Sequence, residues 1–272
     1  LNLETGRIQG VEALSRWNHP ARGLLGPDAF LELLEESGGI VRVGRTLLEA
    51  ACRQTARWHA AGHTDLDVAV NVSSKEFWHD GLVADVGDAL YRSGLPPQTL
   101  QLELTEGIFM RDVDAAVSRI LALKALGVAV AIDDFGTGYS SLAHLKRFPL
   151  DVLKIDRYFV KDIPHSPVNE ALTRSILALC QGLNLGTVAE GVENREQLDV
   201  LRKLGCQIVQ GYFISRPVPA EDILALLDRD WLQEFGRPQE AARQGIATPG
   251  RMLMVAQLLP RGSQDEGQLD RA

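Results

Sequence analysis

Val128-Ala129-Val130-Ala131-Ile132-Asp133-Asp134-Phe135-Gly136-Thr137-Gly138-Tyr139-Ser140-Ser141-Leu142 is an apolar run that stops abruptly in adjacent carboxylates and closely spaced glycines. The pattern is that of a strand delivering acids to its carboxyl end. Neighbouring strand residues point to opposite faces, so Asp133 and Asp134 reach one site only if the strand is already bending into its loop. Gly136 and Gly138 permit such a bend and allow backbone to approach a ligand closely. An ordinary Asp-rich turn is the plainer reading, and this stretch alone does not choose between the two.

The same arrangement recurs along the chain. Strands are predicted for Arg7 to Leu14, Leu66 to Val72, Leu100 to Leu104, Val152 to Asp156, Thr187 to Glu190 and Ile208 to Gln210, each closing on polar residues. Between them lie helical patterns at Val41 to Ala61, from the Ser73-Ser74 cap to about Arg92, and at Val113 to Leu126. A short helix is expected near Ser141 to Arg147, and longer ones at Val168 to Leu183, from Asn194 to Leu204 and from Pro219 to Leu227. Asn194 with Gln197 resembles a capping box. Strand and helix in alternation with short links make an α/β protein with a parallel sheet. An open doubly wound sheet fits the count, but its phosphate-binding glycine fingerprint is missing. Polar residues at nearly every strand end favour a barrel, whose carboxyl ends share one mouth. The barrel is assigned to residues 1–228. Residues 229–272, mixed in Gln, Ala, Arg, Gly and Pro, read as a partly disordered extension with one docked helix around Arg251 to Leu259.

Composition bounds the chemistry. With 272 residues and 45% apolar content the chain is long enough for one barrel-sized domain. A net charge of -8 argues against a DNA or RNA groove read by basic residues. Cys52, Cys180 and Cys206 lie far apart without paired spacing, which points away from a disulfide framework and towards a reducing, cytoplasmic setting. No apolar run is long enough to span a bilayer, which leaves open whether a longer parent protein is membrane-tethered.

Glu12, Asn71, Glu103, Asp133, Asp134, Lys154, Asp156, Glu190 and Gln210 all lie at or just past a predicted strand end. In a barrel they share one basin. Carboxylates crowded there repel one another and raise each other's pKa values unless a cation neutralises them. The donors are carboxylate and amide oxygens without histidine or cysteine, which selects magnesium or manganese over zinc. Two such ions sharing Asp133, about 3.5–4 Å apart, form the clamp used for displacement at phosphorus.

Glu12-Ala13-Leu14-x-Arg16-Trp17, Asn71-Val72-Ser73, Glu103-Leu104-Thr105-Glu106, Asp133-Asp134-Phe135-Gly136-Thr137-Gly138, Lys154-Ile155-Asp156, Glu190-Gly191-Val192-Glu193 and Gln210-Gly211-Tyr212 together resemble the EAL-domain family, from Leu1 to about Leu227. Members are cyclic di-GMP phosphodiesterases built on a modified TIM (β/α)8 barrel. The resemblance implies that Glu12, Asn71, Glu103 and Asp133 hold one metal, and Asp133, Asp134 and Glu190 the second. It makes Lys154, Glu190, Glu103 and Asp133 the catalytic set, with Lys154 at the attacking water or scissile phosphate. Arg16, Leu14, Asp156 and Gln210 are expected around the dinucleotide, with Arg16 at a phosphate and Gln210 ordering the site. Glu106 would brace the loop Phe135 to Ser141, which links to a homodimer interface in this family. Glu193 would act as loop support or cap. The implied reaction is hydrolysis of cyclic di-GMP to linear pGpG, in a signalling protein with further sensory or GGDEF-type domains.

The departure from the family lies at the start. The first strand, which carries a Gln-Pro pair, is largely missing apart from Leu1 to Leu3, and a barrel lacking a strand has exposed edges. Two other readings stay open: a receptor module that binds cyclic di-GMP without cleaving it, and a barrel acting on another phosphate ester. Arg16 and Lys154 as ordinary ion-pair partners, and Asp156 as a partner of Lys154, are the plain alternatives to their functional roles.

Overall fold

The computed structural model describes residues 1–136 and 145–236, together with the backbone of Val255–Leu258. A curled sheet of nine strands runs in the order β10-β11-β1-β4-β5-β6-β7-β8-β9. Its members are β1 (Gly10–Ser15), β4 (Asp67–Val72), β5 (Leu100–Thr105), β6 (Ala129–Phe135), β7 (Val152–Ile155), β8 (Gly186–Ala189), β9 (Ile208–Val209), β10 (Val218–Pro219) and β11 (Val255–Leu258). Every ladder in this sheet is parallel. The architecture is the expected modified TIM barrel. A small antiparallel hairpin, β2 (Trp17–His19) with β3 (Gly23–Leu25), follows β1 and was not legible in the sequence.

Leu1 to Leu3 dock beside β9. Asn2 bridges Ile208 in antiparallel fashion, and Leu3 N–H donates to the Gln207 carbonyl. Leu1 and Leu3 are buried by this docking.

Helices cover the outer face. The Ile40–Ala60 helix buries Leu48, Ala51, Cys52, Thr55 and Trp58, one stripe at helical spacing against the sheet. The Pro167–Leu183 helix is delimited by local chemistry: Ser166 accepts from Asn169 N–H, Pro167 occupies the first turn, and Asn184 closes the end in the left-handed conformation. Asn194 and Gln197 form the capping box read from sequence. The segment after Ser73 differs from expectation. It forms two helices, Ser74–Phe77 and Leu82–Ser93, because the chain turns at Trp78 to Gly81, where Gly81 N–H donates to the His79 ring. The short helix expected near Ser141 to Arg147 falls, up to residue 144, outside the described residues. The helix expected around Arg251 to Leu259 is corrected: Val255–Leu258 is a strand paired with β1 on one side and β10 on the other. A short stretch led by a β-branched valine satisfies its backbone groups equally well in a ladder, and nothing local distinguishes the two.

Two cores result. The outward residues of the strands, such as Val70, Leu102, Ile132 and Leu153, pack against the helices. Inside the sheet, Ala69, Ala131, Val152, Val188 and Ile208 form a separate buried cluster. The loop after β9 is clamped on this frame, since Val192 N–H donates to the Gln210 carbonyl and Phe213 N–H to the Val192 carbonyl. A Cβ on Gly211 would meet the Val192 carbonyl oxygen at 2.1 Å. Gly211→Ala is therefore expected to lower stability by about 2 kcal/mol, and a denaturant midpoint equal to that of the parent chain would contradict this packing.

Candidate functional site

The site sits on the inner apolar cluster, one pleat higher. Two residues beyond Ala69, Ala131, Val152, Val188 and Ile208 come Asn71, Asp133, Lys154, Glu190 and Gln210. Side chains two apart on a strand share a face, so the inner cluster forms a floor beneath a ring of polar groups. Glu12 and Glu103 join the ring from β1 and β5.

Lys154 lies at the point where the acids converge. Its Nζ is 2.7 Å from Glu103 Oε2, 2.7 Å from Glu190 Oε1, 3.2 Å from Asp133 Oδ1 and 4.0 Å from Glu12 Oε2. Side-chain exposure rises from 0% at Glu103 and 1% at Lys154 to 12% at Asp133 and 17% at Glu190, so the floor is dry and the rim is wet. Glu103 is thus a fully enclosed group rather than part of a solvent-facing mouth. Glu12 is held from both sides: Asn71 Nδ2 donates to its Oε1 at 2.6 Å, and Gln210 Nε2 to its Oε2 at 2.7 Å. Gln101, which the sequence reading passed over, donates from Nε2 to Glu103 Oε1 at 3.2 Å and is itself buried. The signal was present in Leu100-Gln101-Leu102-Glu103-Leu104, whose alternation puts Gln101 on the face of Glu103.

Backbone geometry answers how two consecutive aspartates serve one region. Asp134 adopts φ 54, a left-handed conformation that non-glycine residues seldom take but aspartate tolerates better than most. The β6–β7 register shifts between Ile132 and Phe135, interrupting the alternation at this point. Asp134 N–H then donates to Asp133 Oδ1 at 2.9 Å, and the Asp134 side chain interacts with Asp156. Gly136 N–H donates to Glu106 Oε2 at 3.1 Å, so the carboxylate after β5 meets the start of the loop after β6. The loop beyond Gly136 lies outside the described residues.

Other predicted residues stand apart from the ring. Arg16 turns its guanidinium to the Ser15 carbonyl at 2.8 Å, beside the half-buried Leu14 at the end of β1. Asp156 caps the short Arg157–Val160 helix by accepting from Tyr158 N–H, rather than pairing with Lys154. Glu193 is exposed, and its backbone N–H donates to Gln197 Oε1.

Electrostatics follow from this crowding. Burial, then the neighbouring Glu12, Asp133 and Glu190, hold Glu103 well above the usual carboxylate range despite Lys154. Burial raises Glu190 to about 8, against the pull of Lys154, and burial with Asp133 raises Asp134 to about 6. Lys154 loses solvation on burial, yet Glu103, Glu12, Glu190 and Asp133 together raise it well above the ordinary lysine value. One ammonium therefore leaves the acids with surplus negative charge. Among the described residues no three acids or imidazoles are arranged around a common metal position as they stand. The donor set nonetheless suits a hard divalent cation, being carboxylates with the Asn71 amide oxygen free of the Glu12 contact. Glu12, Asn71, Glu103, Asp133, Asp134 and Glu190 would be the residues to hold such an ion.

Two outcomes follow from the charge balance. Glu190 and Asp134 keep protons in the folded chain that the unfolded chain, with ordinary values of 4.5 and 3.8, has already released. The folded state binds more protons across that window, so stability falls as pH rises. The melting temperature of the chain in chelator should decline from about pH 4 to about pH 8, and magnesium should flatten the slope; a rise over that range would contradict the arrangement. Lys154→Met, which leaves the acids without their internal cation, should destabilise the chelated chain by about 3 kcal/mol in urea titration.

The EAL domain profile matches residues 1–217. The chain is 49% identical over 220 residues to the bifunctional diguanylate cyclase/cyclic di-GMP phosphodiesterase MucR of Pseudomonas aeruginosa, covering 81% of this chain and 32% of that protein. It is 47% identical over 219 residues to the cyclic di-GMP phosphodiesterase NbdA of the same organism, covering 80% of this chain and 28% of that one. The structure of the PaMucR phosphodiesterase in complex with c-di-GMP superposes with TM-score 0.79 at 48% identity, covering 82% of this chain and 90% of its own. The EAL domain of Mycobacterium smegmatis DcpA gives 0.72 at 32% identity, covering 85% of this chain and 95% of its own. The chain thus spans about a third or less of the length of the curated relatives it matches. Profile, relatives and superposition agree with the ring of acids on the barrel floor, and the chain belongs to the EAL domain family.

Proposed function

We propose that this chain hydrolyses cyclic di-GMP to linear pGpG. The observation that carries the reading is the convergence of Glu12, Glu103, Asp133 and Glu190 on Lys154 at the floor of a barrel whose relatives are named as phosphodiesterases of this dinucleotide. The water oxygen bonds to phosphorus, the bond from phosphorus to the ribose 3′ oxygen breaks, and the leaving oxygen takes up a proton. Magnesium or manganese, two ions held by Glu12, Asn71, Glu103, Asp133, Asp134 and Glu190, would acidify a water and neutralise charge on the phosphate.

The chain's own residues do the rest. Lys154 presents a fixed positive charge towards the scissile phosphate, in a dry floor where charge is poorly screened. Glu190, on the wetter side of the ring, would lose its own proton once the cations are bound and would then accept the proton of the attacking water. Gln210 and Asn71 hold the Glu12 carboxylate in one orientation, so its position is set before substrate arrives. Arg16, Leu14 and Asp156, at the rim, are assigned to the dinucleotide, Arg16 to a phosphate. Glu106 links this floor to the loop after Asp134, through which the chain would form a homodimer. The greater length of the relatives supports the presence of further sensory or GGDEF-type domains in the parent protein. No helix among the described residues is long and apolar enough to cross a membrane.

A receptor that binds without cleaving is the alternative, and incubation with the dinucleotide in magnesium, with calcium for comparison, separates them. Linear product in magnesium is expected; tight binding with intact dinucleotide would favour the receptor. Glu103→Gln, which keeps the shape of the floor, should lower turnover at least ~100-fold, because a ligand charge is lost. Glu106→Ala should reduce turnover while the far-ultraviolet spectrum and melting curve stay near those of the parent; full activity in that variant would remove Glu106 from the mechanism.

A further inference from the structure

Glycine is disfavoured inside a helix, yet Gly44 stands in the second turn of the Ile40–Ala60 helix. Its neighbour supplies the reason. A Cβ at Gly44 would meet Glu76 Oε1 at 1.4 Å and the carboxyl carbon at 2.5 Å. Glu76 comes from the Ser74–Phe77 helix after β4, is 9% exposed, and lays its carboxylate against the Gly44 backbone. The other oxygen, Oε2, accepts from Ser73 N–H at 2.9 Å and from the Ser73 hydroxyl at 2.5 Å, while Ser73 Oγ accepts from Glu76 N–H at 3.3 Å. A capping box needs only the contacts with Ser73. The seat on a second helix, open only because a side chain is missing there, is an additional constraint.

Ser73 is the first residue past β4, and Asn71 lies just before the end of that strand. The ladder with β5 stops at Val72, and Asn71 is exposed. Its place is therefore set by the ladder on one side and by the Ser73 turn on the other. We propose that Glu76, its carboxylate seated in the notch at Gly44, is a positioning residue that holds the Ser73 turn and through it aims Asn71 at a divalent cation. The inference rests on the reading of Asn71 as a ligand, whose Nδ2 is committed to Glu12 Oε1 at 2.6 Å and whose oxygen is left to face an ion. A short amide side chain has little reach with which to compensate for a displaced backbone. Residues that orient a ligand in this way are worth ~10–100-fold in metal affinity. Other contacts hold the helix rather than the turn: Lys75 Nζ donates to the Glu35 carbonyl, and Arg119 Nη1 to the Phe77 carbonyl at 2.7 Å. Loss of the Glu76 carboxylate thus frees the turn while the Ser74–Phe77 helix stays docked.

Manganese binding to the whole chain, followed by the electron paramagnetic resonance signal of the free ion, tests this without any assay of turnover. Gly44→Ala puts a methyl group where the carboxylate lies, and because the contact is with the tip of a side chain, the carboxylate yields rather than the backbone. Gly44→Ala and Glu76→Ala should each weaken manganese binding at least ~10-fold. The double variant should bind no more weakly than Glu76→Ala, since the methyl group then has nothing to displace. Glu76→Gln keeps an acceptor for Ser73 and should hold affinity within ~3-fold of the parent. A cap with no bearing on the site would lower the melting temperature of Glu76→Ala and leave manganese affinity unchanged, which would overturn the proposal, as would additive losses in the double variant. Should Glu76→Ala fail to fold, Gly44→Ala decides by itself. Glu103→Gln separates this inference from the reading beneath it. Weakened binding in Glu103→Gln with parental affinity in Gly44→Ala overturns the positioning role alone, and no manganese binding by the parent chain overturns both.

Discussion

A buried ammonium shared among carboxylates is the constraint on which this structure turns. Lys154 is 1% exposed and reaches Glu103 and Glu190 at 2.7 Å each, with Asp133 close behind. Neither charge type would be tolerable in that place alone, since an unpaired ion in a dry interior costs several kcal/mol. Four strands, β5, β6, β7 and β8, must therefore come together in one register to pair these charges. The requirement reaches outwards through Gln101, Asn71 and Gln210, whose amides direct the carboxylates of Glu103 and Glu12.

The surplus of negative charge links that constraint to chemistry. One lysine faces Glu12, Glu103, Asp133 and Glu190 together, and burial first, then Asp133 and Glu12, raise Glu190 to about 8 against the pull of Lys154. A site built to hold more negative charge than its fold neutralises is suited to divalent cations and, through them, to a phosphate ester. The fold accepts a local cost for it, because Asp134 stands in a left-handed conformation at a break in the β6–β7 register.

Not every segment at the strand ends belongs to a regular α/β unit. The β2–β3 hairpin, the start of the loop at Gly136 and the end of β1 at Ser15 all leave the carboxyl ends of strands. Gly136 is tied to Glu106, and Leu14 and Ser15 to β11, so two of these segments are positioned by partners remote in sequence. In a barrel, segments at the carboxyl ends of the strands are free to vary while the sheet below stays constant.

Periodicity and punctuation in the sequence determined the alternation of strands and helices, the helix start at Asn194, and the short list of acids at strand ends. Those features are local: a pleat, a cap or a proline acts within a few residues. The apolar and polar faces of β5 were equally readable from Leu100-Gln101-Leu102-Glu103-Leu104, including a glutamine whose role became visible only beside its neighbour. Tertiary structure alone decided that Glu103 lies sealed beneath Lys154, that Asp156 caps a helix instead of joining the ring, that Arg16 turns to Ser15, and that Val255–Leu258 is a strand. Each depends on the register between strands tens of residues apart. A stretch of chain carries its own conformational preference but not the identity of the edge it will meet, and the charge that settles a buried acid is supplied from another strand.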